Sequence, residues 1–229
     1  MAFSQKKRPG EPVCAELEDF NERQAWEHDD KIILETSITL PKISGIPSKA
    51  AERINRHYIF LSKFLLRWAK TSLLQKAREN NAGNLAEPYK LAASYTVTYN
   101  DKGILSLYYE ISQHSPAQPL AEVRCGDSWS LEDGLPYPLP LPRRSKGIKA
   151  CLNAMPPGTD PLAWKKAVYR HYQERNSYLT PKGIVLYFPA CTLPSSKYEF
   201  LEFHLTGTPQ PNNATSIHAA PTLAPPVKK

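Results

Sequence analysis

At 229 residues, with 41% hydrophobic and 22% charged side chains, the chain is long enough for one good core with tails. Its apolar runs are too short to span a membrane, and Cys14, Cys125, Cys151 and Cys191 stand apart with no CxxC pair or Cys/His spacing that reads as a zinc site. The formal net charge of +7 is uneven, with residues 1–30 acidic and the remainder strongly basic. That pattern reads first as a solvated surface and second as attraction to an anionic partner.

Met1–Arg8 has a basic start, but Pro9-Gly10-Glu11-Pro12 follows where a secretion signal needs an apolar core. Reduced thiols in the cytoplasm are therefore the expected state. Residues 1–30 read as an acidic, partly disordered leader, with a short helix or a docking contact through Phe20 and Trp26. Lys31 to Leu40 alternates Ile32, Leu34, Thr36, Ile38 and Leu40 with Ile33, Glu35, Ser37 and Thr39, the pattern of a strand that Pro41 ends.

Pro47 to Asn81 predicts one long helix entered through Ser48 as N-cap and left through Asn80-Asn81-Ala82-Gly83. Ala51, Ile54, Tyr58, Leu61, Leu65 and Trp68 share the face that the strands cover. Lys49, Arg53, Arg56, Lys63, Arg67 and Lys70 run along the opposite face, with Phe60 among them.

Leu91–Tyr99, the turn Asn100-Asp101-Lys102-Gly103 and Ile104–Ser112 make a hairpin, and Leu120–Trp129 extends it to a meander. Leu131–Gly134 is a turn. Proline at every second position of Leu135–Pro142 forbids a central strand and leaves an extended loop. Gly147–Met155 reads as a short helix, and Pro161–Asn176 as a second one carrying Trp164, Val168 and Tyr172 on one face. Ile184–Phe188 reads as a central strand, Lys197–Leu205 as the last strand, and residues 206–229 as a disordered tail. The fold class expected is α+β: an antiparallel sheet packed against one long helix, plus a shorter helix, in a single domain over residues 31–205.

The chain carries no phosphate loop, nucleophile elbow or metal-binding motif, so neither a cofactor nor an enzyme activity is expected. His171 and Glu174, at i and i+3, read as a surface pair. Cys125 or Cys191 beside a histidine is the arrangement a cysteine-dependent enzyme would need. Arg53, Arg56, Lys63, Arg67 and Lys70 are the candidate partner-binding residues, read first as a solvated helix face and second as an anionic-polymer site. Nucleic acid is not the expected partner. A membrane-surface role is set aside because Tyr58, Leu61, Leu65 and Trp68 are needed by the sheet.

The order of segments carries a resemblance. Leu40-Pro41-Lys42-Ile43-Ser44-Gly45 followed by Ile54-Asn55 in a long helix, the hairpin with Leu105-Ser106-Leu107, Trp129–Pro136, and above all Tyr178–Pro189 resemble the extracellular domain of RsiV-type anti-sigma factors and the related accessory domain of peptidoglycan deacetylases. The likeness covers roughly residues 31–205. It implies an α+β domain without catalytic residues that binds or senses a protein or cell-envelope component. The sequence departs from the family in showing no transmembrane helix, sigma-binding segment or secretion signal. It also has Gln113–Pro119 where the family carries a Gly-Gly-Ala-His type stretch, so no role passes to His114, and the sigma and lysozyme roles are not inherited.

Overall fold

The computed structural model describes residues 13–81, 87–115, 118–194, 199–205 and 221–222. A five-stranded sheet has the order β1 (Glu16–His28), β2 (Lys31–Ser44), β3 (Tyr89–Asp101), β4 (Ile104–Ser115), β5 (Gln118–Ser130). A second sheet has the order β6 (Ser177–Thr180), β7 (Gly183–Phe188), β8 (Leu201–Leu205), β9 (Pro221–Thr222). The helices are α1 (Ser48–Trp68), α2 (Leu74–Asn81), α3 (Arg144–Asn153) and α4 (Pro161–His171). A π-helical turn over Ala69–Leu73 joins α1 to α2, so the predicted long helix is continuous.

This helix buries Ala50, Ile54, Tyr58, Ser62 and Leu65 against the first sheet, while Leu61 and Trp68 are half-buried at its flanks. Ser48 is the first helical residue rather than the cap. Pro47 occupies the cap position without a side-chain hydrogen bond, as a residue with no such donor or acceptor must. Asn55 instead turns toward the sheet, accepting from the Ile43 N–H at 2.6 Å and donating to the Ile43 carbonyl at 2.9 Å. It gives Ile43 the partners that a neighbouring strand would supply.

The first sheet is mixed, not antiparallel throughout. β2 and β3 pair in parallel from Leu34↔Tyr89 to Ile38↔Ala93, because the long helix carries the chain back before β3 begins. Beyond Ile38 only β1 pairs with β2, so Pro41 stands where β3 asks for no donor and the strand continues to Ser44.

The acidic leader departs from the expectation over its described part, residues 1–12 lying outside the described residues. Residues 16–28 form the edge strand β1, joined to β2 by Asp29 and Asp30, both at positive φ, in a two-residue reversal. Leu17, Phe20 and Trp26 pack on the core, while the other side chains, mostly charged or polar, guard the open edge. The start of the strand is clamped by Asn100, which bonds both the N–H and the carbonyl of Ala15.

The strand at Ile184 is also placed differently: it does not cover the long helix. One face of β7 and β8 buries Ile184, Leu186, Phe188, Phe203 and Leu205 against α3 and α4, around Trp164 and Val168. The other face carries Val185 and Tyr187 toward β6 and the first sheet. The layers run long helix, first sheet, second sheet, short helices. α4 ends at His171, so Glu174 lies beyond it and the i, i+3 pair does not form on a helix. Of the predicted tail, Pro221 and Thr222 pair with Phe203 and Glu202. Residues 206–220 and 223–229 lie outside the described residues, as does the beginning of the predicted last strand, at 197–198.

Burial also fixes the alkaline limit of the fold. Desolvation pushes the Tyr172 and Tyr95 hydroxyls up to about 12, and holds those of Tyr58, Tyr109, Tyr178 and Tyr187 above their ordinary range. These pKa values are raised in the folded state, so the stability they carry is complete below the unfolded tyrosine value near 10. It is lost as pH rises from there toward 12. Urea midpoints should hold steady from neutral pH up to that threshold and then fall steeply. Leu65→Ala should lower stability by about 2–5 kcal/mol, and Lys63→Ala by less than about 0.5 kcal/mol, in the same titrations.

Candidate functional site

Where the second sheet lies on the first, the backbones approach closely. A Cβ on Gly126 of β5 would sit 2.2 Å from the Ser177 carbonyl, so only glycine allows β6 to cross there. The Leu179 N–H donates to Ser106 Oγ at 2.9 Å, tying β6 to the start of β4. Away from that crossing the twisted sheets part, and the space between them is lined by side chains from both.

Arg124 of β5 spans the gap. Its Nε and Nη2 donate to Glu110 Oε1 on its own sheet at 2.9 and 2.7 Å, and its Nη1 donates to Glu202 on the opposite one. The guanidinium carbon lies 4.2 Å from the Tyr108 ring centre and 4.3 Å from that of Phe200. The side chain is only 7% exposed. Burial opposes its charge, but the two carboxylates more than offset that and hold its pKa above the usual arginine value. The Tyr187 hydroxyl donates to the Arg124 carbonyl at 2.7 Å, so β7 is fastened to β5 as well.

On one side of Arg124 the cleft opens as a hollow of about 470 Å³, with Tyr108 and Tyr178 as its aromatic wall and Thr96, Thr98, Lys182 and His204 at its mouth. The Tyr108 and Tyr178 ring centres are 5.1 Å apart. Burial, then the neighbouring Glu202, push the Tyr178 hydroxyl up, so it stays a protonated donor. On the other side a hollow of about 440 Å³ is lined by Cys125, His171, Arg175 and Tyr187 among others. Burial pushes the Cys125 thiol up.

Of the residues singled out from sequence, this cleft takes Cys125 and His171; Cys191 is exposed elsewhere, at a positive φ. The helix residues lie on the far side of the first sheet. Arg53 donates to the Asp133 carbonyl at 2.8 Å and Arg56 pairs with Glu52, whereas Lys63, Arg67 and Lys70 are exposed without an ion-pair partner among the described residues. His57 sits at the helix flank, 3.3 Å from Asp127, which also accepts from the Tyr58 hydroxyl. Among the described residues no three His, Cys, Asp or Glu side chains converge as metal ligands, and no helix is long and apolar enough to cross a membrane.

Sequence reasoning missed Arg124, Tyr108 and Glu202. Their signal was weak: an arginine inside a predicted strand, and an acidic residue in a hydrophobic run. The pairing of β4 with β5 already sets Arg124 opposite Glu110 and close to Tyr108; the stacking of two sheets, which strand patterns do not encode, is what adds Glu202.

Residues 27–115 match the family described as deacetylase PdaC. Two solved structures share the fold. One is a member of the DUF3298 family from Bacteroides fragilis, 11% identical, with a TM-score of 0.59 over 86% of this chain and 92% of that one. The other is a DUF3298 family protein from Pseudomonas aeruginosa, also 11% identical, with a TM-score of 0.52 over 86% and 91%. No curated protein matches the chain. The family match covers residues 27–115 only, and the two solved structures show a shared α+β fold.

Arg124→Leu should destabilise the protein by about 3–5 kcal/mol, because it leaves Glu110 and Glu202 facing each other without their cation. Adding Glu202→Leu should recover part of that loss. Thermal melts of the single and double variants measure both.

Proposed function

We propose that the chain is a non-enzymatic binding or sensing domain that takes a segment of a protein or a cell-envelope component into the cleft between its sheets. The observation that carries this reading is that the charged groups at the floor of the cleft are spent on one another. Arg124 gives its donors to Glu110 and Glu202, and Tyr178 lies beside Glu202. What remains for a ligand is two ring faces, threonine hydroxyls, Lys182 and His204. Such a surface supplies shape, stacking and hydrogen bonds, the ingredients of recognition.

The deacetylase named by the matching family lends its activity to that family only. The match includes Thr96, Thr98 and Tyr108 but stops before Arg124, Tyr178 and Glu202, which complete the cleft. The RsiV-type resemblance supports the binding role, and the sigma and lysozyme partners are not carried over with it.

A cysteine-dependent enzyme is the second reading, favoured by Cys125 and His171 lining one hollow. The thiol there is pushed up by burial, the opposite of what a thiolate nucleophile needs.

The test is retention of soluble-protein and cell-envelope fractions by the purified full chain, compared with Thr96→Trp, which fills the mouth of the cleft from an exposed strand position. A ligand held by the native chain and weakened at least about tenfold by Thr96→Trp supports the proposal, since a blocked site loses most of its contact area. Nothing retained above background, or turnover of a bound substrate that Cys125→Ala abolishes, overturns it.

A further inference from the structure

The outer face of α1 carries more than a row of charges. Phe60 is 64% exposed and Phe64 63%, one helical turn apart, and Ile59 beside them is 41% exposed. Residues at i and i+4 stand one above the other, so the two rings form a single apolar ridge. Lys63 lies one turn from Phe60, Arg67 one turn from Phe64, and Lys70 one turn further on. Arg53 and Arg56 are engaged by the Asp133 carbonyl and Glu52, which leaves Lys63, Arg67 and Lys70 beside the ridge, and Lys49 at the start of the helix, without an ion-pair partner among the described residues. Solubility explains the lysines and arginines but not two adjacent phenylalanines turned into water.

We propose that this face docks on an anionic lipid surface, with Phe60 and Phe64 entering the headgroup layer and Lys63, Arg67 and Lys70 set against lipid phosphates. Three features favour a bilayer. The ridge is convex, so its rings protrude; a headgroup layer yields to them without a preformed groove. Its charge is complementary to an anionic leaflet, the single acidic residue on the α1 face, Glu52, being neutralised by Arg56. Ile59 widens the ridge with aliphatic surface, which suits hydrocarbon and offers no ring for stacking on bases. The residues that the sheet needs, Ile54, Tyr58 and Leu65, lie on the opposite side of the helix and stay buried when the outer face docks. The docking is independent of the inter-sheet cleft, since the first sheet lies between them.

The experiment is flotation of the full chain with vesicles of phosphatidylcholine alone, or with roughly a quarter of phosphatidylglycerol added. The expected result is binding to the anionic vesicles only, weakening as salt rises. Phe60→Ser/Phe64→Ser and Lys63→Glu/Arg67→Glu should each lower the bound fraction at least about tenfold, the first by removing the apolar anchor and the second by reversing the charge. Both pairs are exposed, so thermal melts should match the native chain; if the serine variant failed to fold, the charge reversal would decide alone. Equal binding to neutral vesicles, unchanged binding by the folded variants, or retention of a short duplex DNA in place of vesicles would overturn the proposal.

Discussion

A guanidinium held between two sheets has to find its counter-charges on both. Arg124 does so with Glu110 below and Glu202 above, and it fills the remaining space with the faces of Tyr108 and Phe200. An ion pair this buried adds little net stability over an apolar replacement, because desolvation consumes most of the attraction. Its contribution is positional. An apolar filling would tolerate a slide of one sheet over the other; a bridge with fixed hydrogen-bond directions does not. The Tyr187 hydroxyl on the Arg124 carbonyl and the close passage of Ser177 over Gly126 fix the same alignment from the backbone.

The cleft follows from that alignment. Sheets that are pinned at one point and twisted elsewhere must diverge, and the diverging faces here are lined by tyrosine and threonine. The long helix plays no part in the cleft. It seals the far face of the first sheet and so frees its own outer surface for another contact. Each outer layer thus stabilises one sheet, while the surfaces left for recognition lie between the sheets and on the back of the helix.

Much of this architecture was legible in the sequence. The long helix, the β3–β4 hairpin at Asn100–Gly103, the strand β7 and the short helices follow from periodicity and turn residues, because side-chain burial has a period and these elements have one buried face. What stayed hidden depends on partners distant in sequence. β1 shows little alternation because it is an edge strand with few inward residues, and its turn uses Asp29-Asp30 in place of the Asn-Gly that signals such reversals. The parallel pairing of β2 with β3 is a property of the crossover, not of either strand. The division into two sheets is equally silent, since Ile184–Phe188 is apolar throughout and would suit the centre of any sheet. The basic residues of α1 were legible as a stripe. Phe64 was not, because a phenylalanine in a helix is read as core until the opposite face is known to be full.

The π-turn at Ala69–Leu73 has a consequence for the length of the chain. Among the residues the helix buries, Ala50, Ile54, Tyr58, Ser62, Leu65, Ala69, Leu73 and Ala77 mostly recur four apart, with Leu74 buried beside them, a longer step than an α-helix of about 3.6 residues per turn repeats. A straight α-helix would drift until its far end lifted its apolar side chains off the sheet. The wider π-turn absorbs the accumulated drift in one place and returns α2 to the sheet in phase. It follows that the helix has a splice point. One residue removed within this turn converts it to ordinary α-helix while both flanking segments keep the faces they present, whereas the same deletion anywhere in α1 would rotate everything beyond it.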